Sequence, residues 1–426
     1  MLILLVMAIS VFATVNGQQT DRKDIERIYG GPPYTTEVFS SGGEGAVIQN
    51  ALEGGYLFVG GQNGTWFQEG QFPRLYQVSL QRNSSVQLDP VRSGGAVWGG
   101  GFNGSQFLVS GWGTDDNSLG PYVWLYNGAR VVAAGSLDKF GNASSWNGGD
   151  VFAASYNGKE WLLTGLGSGP LASFSNNSVN HMSLGTFNGS TFTDLSYLVP
   201  DQEDAILYTN AWNGEYWLVG GGYLSDGVLF TFDGNKTIDL TAQARNAITN
   251  FASVQTIAWN GDYWLIGGIG FLAKYDGHNF VDLTPLLERQ VLRTNLYFNS
   301  VNAIAWNGES WMLGGGTPIA QVGLNPAWLA DYSAAGFLDL SSMLPSYFTN
   351  STQGSSILAI TSLNGIWILG GYSGDRGVLL SYNEGVLTDY SNLVNGLTYV
   401  DWMSSPSLEI VWGMVSGTCG RTNGCE

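Results

Sequence analysis

Cysteine, histidine and charge are the scarce commodities of this 426-residue chain, and each scarcity closes off a class of function. The only cysteines are Cys419 and Cys425, in CGRTNGC at the very end. They cannot build a disulfide framework, and their close spacing suits one disulfide that clips a small terminal loop. The only histidines, His181 and His278, are far apart in sequence, so no metal site and no cofactor are expected. Histidine is also the usual base of a nucleophilic triad. Charged residues make up 12% of the chain, and 16 Lys and Arg against 34 Asp and Glu leave a net charge of −18. A chain so poor in basic residues has no electrostatic footprint for nucleic acid or an anionic membrane. The scattered acids read as solubility, with tolerance of acid surroundings as a second reading.

Long apolar runs are scarce too. The opening stretch MLILLVMAISVFATV falls short of the roughly 20 residues that span a bilayer. Followed by the polar NGQQTDRKD, it reads as a secretory leader over residues 1–17, with a short N-terminal membrane anchor facing outside as the alternative. The mature chain then carries no transmembrane span. Asn-x-Ser/Thr sequons at Asn63, Asn83, Asn103, Asn142, Asn176, Asn188, Asn235 and Asn350 are candidate glycosylation sites in an exported protein.

Glycine and tryptophan are abundant. Sixty-one glycines exclude long helices, and 16 tryptophans supply large buried surfaces for an all-β core. The glycines are ordered by a repeated phrase, seen as SYNGKEWLLTGLG from Ser155, AWNGEYWLVGGG from Ala211, AWNGDYWLIGGIG from Ala258 and AWNGESWMLGGG from Ala305. Further copies start at Gly101 and Ser362, and a weaker one at Ala51. The residue before the turn glycine falls at 53, 103, 157, 213, 260, 307 and 364, so the steps run from 47 to 57. A period near 50 made of short strands indicates propeller blades.

Asn-Gly between apolar runs predicts a two-residue hairpin turn joining the inner strand of a blade to the second. A further hairpin follows, with Phe232-Asp233-Gly234 or Tyr275-Asp276-Gly277 at its turn. Its last strand ends in Asp-Leu-Ser/Thr at Asp194, Asp239, Asp282 and Asp339, or in Asp389-Tyr-Ser. An acid repeated around a ring reads as a strand-end hydrogen-bonding device. The doubled glycines of strand two fit a place crowded by the next blade. Residues 397–413 read as an inner hairpin and 25–40 as an outer one, together one composite blade. The expectation is an eight-bladed propeller of four-stranded antiparallel blades over 24–415, with seven blades as the alternative, and a clipped tail over 416–426.

Gly267-Gly268, then Tyr275 and Phe280, follow the double-glycine, tyrosine, large-aromatic order of a kelch repeat, so the chain resembles the kelch-like propellers. That resemblance implies the fold alone, because such folds host adaptors, sugar oxidases and surface proteins.

In such a blade the Asn-Gly and Asp-Gly turns lie on one face of the ring. The connections between strands two and three, and those between blades, lie on the other. These are the long, varied segments, such as Gly61–Gln71, Gly165–His181 and Thr284–Ser300. Variable loops on a rigid scaffold are where binding concentrates. Trp66, Trp112, Asp115, Asp116, Trp146, His181, Arg293 and Arg376 are the candidate contacts on that face. The reading is an exported cell-surface module that binds carbohydrate or a surface protein. Its rival is an extracellular hydrolase or oxidoreductase using loop or channel carboxylates. No residue is assigned a catalytic role.

Export is checked directly. The native protein should begin between about residues 16 and 20 and carry glycans. A full-length, unglycosylated chain in N-terminal sequencing and intact mass would refute it.

Overall fold

A computed structural model describes residues 12–14, 56–63, 72–88, 95–115, 118–127, 131–146, 149–168, 180–200, 205–223, 225–292, 299–316, 326–349, 354–363, 365–374, 376–394, 397 and 399–407. Among these, strands form antiparallel sheets of four whose order outward from the inner strand follows the chain. Six such blades span 95–136, 150–194, 206–239, 254–282, 300–339 and 355–389, numbered here blades 2 to 7. Blade 1 combines Tyr56–Asn63, Phe72–Ser79 and Ser84–Gln87 with an inner strand from the other end of the chain, Tyr399–Ser407. The short strand Phe12–Thr14 lies parallel to Tyr399–Ser407 on its other side. A single pair, Gly316 with Ser356, joins blades 6 and 7 into one continuous sheet. The inner strands touch in succession, and Tyr399–Ser407 touches both Ser355–Leu363 and Gly95–Phe102. The architecture is that of a β-propeller.

The described residues therefore hold seven four-stranded units, where eight blades were expected. The difference lies in the first phrase, whose strand Tyr56–Asn63 takes Tyr399–Ser407 as its inner neighbour, with Gly60 opposite Trp402. The phrase at Ala51 and the C-terminal strand thus belong to one blade rather than two. Residues 25–40, the expected partner of 397–413, lie outside the described residues, as do 416–426 with Cys419 and Cys425.

The turn in the repeated phrase also differs from expectation. In blade 5 the last strand pair is Trp259 with Trp264, which leaves four loop residues instead of two. Asn260 N donates to Tyr263 O at 3.3 Å, and the Asn260 side-chain Oδ1 accepts from Asp262 N at 3.0 Å and Tyr263 N at 2.8 Å. Only Gly261 takes a positive φ, +102°. Asn is needed for its carbonyl, which caps the loop, and Gly for its backbone. Asn103, Asn157, Asn213 and Asn307 cap the same loop in blades 2, 3, 4 and 6. In blade 7 the strand pairing continues to Leu363 with Ile366, because Asn-Gly there sits one residue later relative to the tryptophan.

The Asp-Leu-Ser/Thr device is present in blades 3 to 7. In blade 5, Thr284 Oγ1 accepts from Leu272 N at 3.0 Å and donates to Leu272 O at 3.3 Å, while Asp282 Oδ1 accepts from Thr284 N at 2.9 Å. Ser196, Thr241, Ser341 and Ser391 accept from the corresponding leucine amides. The hydroxyl pins strand three where the fourth strand ends.

The doubled glycine answers to two different neighbours. A Cβ on Gly314 would meet Ile357 of blade 7 at 2.7 Å, as expected for crowding by the next blade. One on Gly315 would strike the Ser300 carbonyl oxygen of its own inner strand. That strand carries a β-bulge, at Asn302, where the register slips by one residue. The same slip falls at Trp98, Phe152, Tyr208, Gln255, Leu358 and Asp401, one in each blade.

Removing 399–426 should strip blade 1 of its inner strand and leave Tyr56–Asn63 as an unpaired edge. The expected outcome is a drop in melting temperature of more than about 10 °C, or aggregation, by calorimetry and size-exclusion chromatography. A truncated chain as stable and monodisperse as the parent would contradict this pairing.

Candidate functional site

The bulges lie near the starts of the inner strands, on the face where the long connections emerge. The six described bulge side chains, Trp98, Phe152, Tyr208, Gln255, Asn302 and Leu358, are at most 3% exposed. Trp98 stacks on Phe152 with ring centroids 6.0 Å apart, and Phe152 meets Tyr208 edge-on at 5.5 Å. Asn302 Nδ2 donates to Ser356 Oγ of blade 7 at 2.8 Å, and Asn302 Oδ1 accepts from Ser300 Oγ at 2.6 Å. One hydrophobic cluster gathers Leu57, Trp98, Phe152, Tyr208, Ile269 and Leu358, from six different blades. The middle of the ring is thus filled at the level of the bulges. Aromatic side chains occupy it at blades 2 to 4, and amides at blades 5 and 6.

Asp150 stands above this floor, two residues before the bulge of blade 3. It keeps part of its surface open, yet its carboxyl is packed deeply enough for desolvation to push its pKa up to about 7. A hydrogen bond with the Trp98 side chain offsets this only in part. Among the described residues no group of three or more His, Cys, Asp and Glu could hold a metal ion. No helix there is long and apolar enough to cross a membrane.

The contacts expected from sequence are dispersed. Trp112, in Phe107–Asp115 of blade 2, is half-buried and packs against the central cluster. Asp115 ends that strand, opposite Ser118. His181 is exposed in Asn180–Phe187, opposite Gly167. Arg376 is exposed at the start of a blade 7 strand, its guanidinium 5.0 Å from the centre of the Tyr347 ring. Trp66, Asp116 and Arg293 lie outside the described residues, as do the sequons Asn176 and Asn350.

Trp146 corrects the sequence reading. It is fully buried in the link between blades 2 and 3, edge-on to Phe192 with centroids 5.8 Å apart, within the core these blades share. A tryptophan in a link can serve as the plug that seals two blades, and this one does.

Two features escaped the sequence reading. One is Tyr347, whose hydroxyl donates to Asp389 Oδ2 at 2.6 Å beside Arg376. Burial, and then the Asp389 carboxylate, push the tyrosine up to about 12, and Arg376 opposes them. Burial works to raise Asp389 as well, but hydrogen bonds from Ser391 and Tyr347 and the Arg376 charge outweigh it and hold its pKa down. The other is the bulge position itself. Its signal was available in the sequence: between repeating neighbours, one inner-strand position changes from Trp to Phe, Tyr, Gln, Asn and Leu.

The chain matches no family model and no curated protein. Among solved structures it is similar to a 6-phosphogluconolactonase-like protein from Bacteroides fragilis, at 10% identity and TM-score 0.45, over 82% of this chain and 97% of that one. It is also similar to the acylaminoacyl peptidase of Pyrococcus horikoshii, at 8% identity and TM-score 0.46, over 79% of this chain and 50% of that one. The β-propeller domain of the Trilobed protease from Pyrococcus furiosus aligns at 9% identity and TM-score 0.40, over 69% and 84%.

Asp150 sets a pH dependence of known sign. Its carboxyl holds a proton more tightly folded than unfolded, so its stabilising contribution is full below the ordinary value of 3.8 and is lost as pH rises through about 7. Relative to Asp150→Asn, the native chain should lose stability between about pH 4 and pH 8 in denaturant titrations. Parallel profiles for the two proteins would show that the carboxyl is not shifted.

Proposed function

We propose that the chain is an exported, glycosylated propeller of kelch-like repeats, closed into a ring of seven by Tyr399–Ser407, that acts at the cell surface as a binding module. Its ligand is hydroxyl-rich, a carbohydrate or a glycan-bearing surface protein. The ligand is held on the face where the long connections emerge, over the rim that includes Trp112. The observation that carries this reading is the filled middle of the ring: buried bulge side chains leave a floor on which a ligand rests. Trp112, half-buried beside that floor, leaves part of its indole free to stack on a neutral sugar. The exposed sequon asparagines Asn83, Asn142, Asn188 and Asn235 are compatible with glycosylation.

One observation favours a second reading, an extracellular hydrolase or oxidoreductase. Asp150, poised near neutral pH on the same face, has the protonation behaviour of a general acid. The two readings separate on secreted protein tested on a glycan array and in an unbiased hydrolase and oxidase screen. Binding without turnover is expected, weakened at least about fivefold in Trp112→Phe at near-native melting temperature. Turnover abolished by Asp150→Asn would overturn the binding module in favour of the enzyme.

A further inference from the structure

The opposite face, built of capped turns, carries two nearly identical seams between blades. At the seam of blades 5 and 6, Tyr263 packs on Trp311 with centroids 5.8 Å apart at 43°, beside half-buried Trp306. At the seam of blades 4 and 5, Tyr216 packs on Trp264 at 6.2 Å and 40°, beside half-buried Trp259. Each tyrosine is the last residue of its Asn-Gly loop and follows an exposed acid, Asp262 or Glu215.

The seams differ in one respect. In blade 5, Lys274 faces Leu265 across the strand pair and holds its Nζ 3.8 Å from the centre of the Tyr263 ring. In blade 4 the residue facing the corresponding Leu218 is Thr231. The ammonium that completes one seam therefore has no counterpart in the other. A second deficit accompanies it: Trp311 Nε1 donates to Tyr263 OH at 2.9 Å, whereas the buried Trp264 Nε1 has no hydrogen-bond partner. Blade 6 has Ser310 at the tyrosine position, bonded to Asp331, and forms no third seat.

We propose that the seam of blades 4 and 5 is a binding seat for a primary ammonium, the side chain of a lysine on a partner protein. The chain itself shows which group fits, because its own lysine fills the equivalent seat. The Tyr216 ring supplies the π-face, and Glu215 supplies an exposed carboxylate next to it. The blade 5 turn around Asp276 and Gly277 closes the far side, where a Cβ on Gly277 would stand 3.6 Å from Tyr216 OH. Backbone amides, first that of Asn279, hold the Asp276 pKa down, which favours the carboxylate form on this turn. A cation over a tyrosine ring beside a carboxylate combines cation–π attraction with charge complementarity. The seat lies on the face opposite the proposed carbohydrate rim and does not depend on it.

The test uses the intact protein with Nα-acetyl-lysine N-methylamide as probe, followed by ligand-observed NMR, with the isosteric norleucine compound as control. The ε-methylene protons of the lysine probe should shift upfield on binding, while the norleucine control stays unperturbed. Thr231→Lys should place an internal ammonium over Tyr216 and weaken the response at least about fivefold, with melting temperature equal to or above native. Lys274→Thr should open the second seat and raise the bound fraction about twofold. Tyr216→Leu provides an independent check and should also abolish the shift. Equal responses to both probes, no response at all, or a native response in Thr231→Lys and Tyr216→Leu would each overturn the proposal. A negative glycan array leaves it standing, since that screen reads the other face.

Discussion

The close approach of strand two to the bulged inner strand is the constraint around which each blade is arranged. The bulge thrusts a carbonyl toward its neighbour, and in blade 6 that carbonyl, from Ser300, leaves no room for a side chain at Gly315. In blade 3 the Asp150 carbonyl excludes one at Gly165 in the same way. Glycine there is a steric requirement of the pairing, at the cost of a freer unfolded chain. The bulge in return re-aims one inner-strand side chain, and these side chains together fill the middle of the ring.

From that constraint the two faces acquire different characters. On the turn face the loops of blades 3 to 5 satisfy their inner amides through their own Asn or Asp side chains. Asp233 and Asp276 show the consequence electrostatically: bonds from the amides of Lys236 and Asn279, first among their causes, hold these exposed carboxyls below their usual range. The turn face is therefore a fixed frame, and chemistry there comes only from side chains that the loop leaves over. On the other face the chain must travel between strands and between blades, and in blades 3 to 7 the Asp-Leu-Ser/Thr hydroxyl anchors only the start of the link.

Much of the blade was legible because its constraints are local. Asn-Gly, Gly-Gly and Asp-Leu-Ser/Thr each mark a backbone requirement that few residues meet, and each does the work its chemistry suggests. The four-residue loop was not legible as such, since Asn-Gly suits either turn and only the following Trp264 opposite Trp259 fixes the count. Blade number was harder, because the inner strand of blade 1 comes from residues more than three hundred positions away, a pairing that periodicity does not encode. Trp146 was misjudged for a related reason. Its burial depends on Phe192, which reaches it from the outermost strand of the following blade. The candidate rim was the least legible part, since what brings residues together there is the stacking of blades rather than any spacing within one.

A repeat protein makes its distinctions where the repeat is broken. Positions that build the scaffold return in blade after blade, because each blade meets the same steric demands. A position free to differ is one that the scaffold does not need, and its identity can answer to something outside the chain. The bulge residue changes from aromatic to amide around the ring without disturbing the pairing on either side. Tyr216 and Tyr263 stand in matching loops against matching tryptophans, and the strand beside them offers threonine in one blade and lysine in the next. Packing does not require that difference, since both residues are half-buried at the same register. What it alters is charge over an aromatic face, a property felt by a partner more than by the fold.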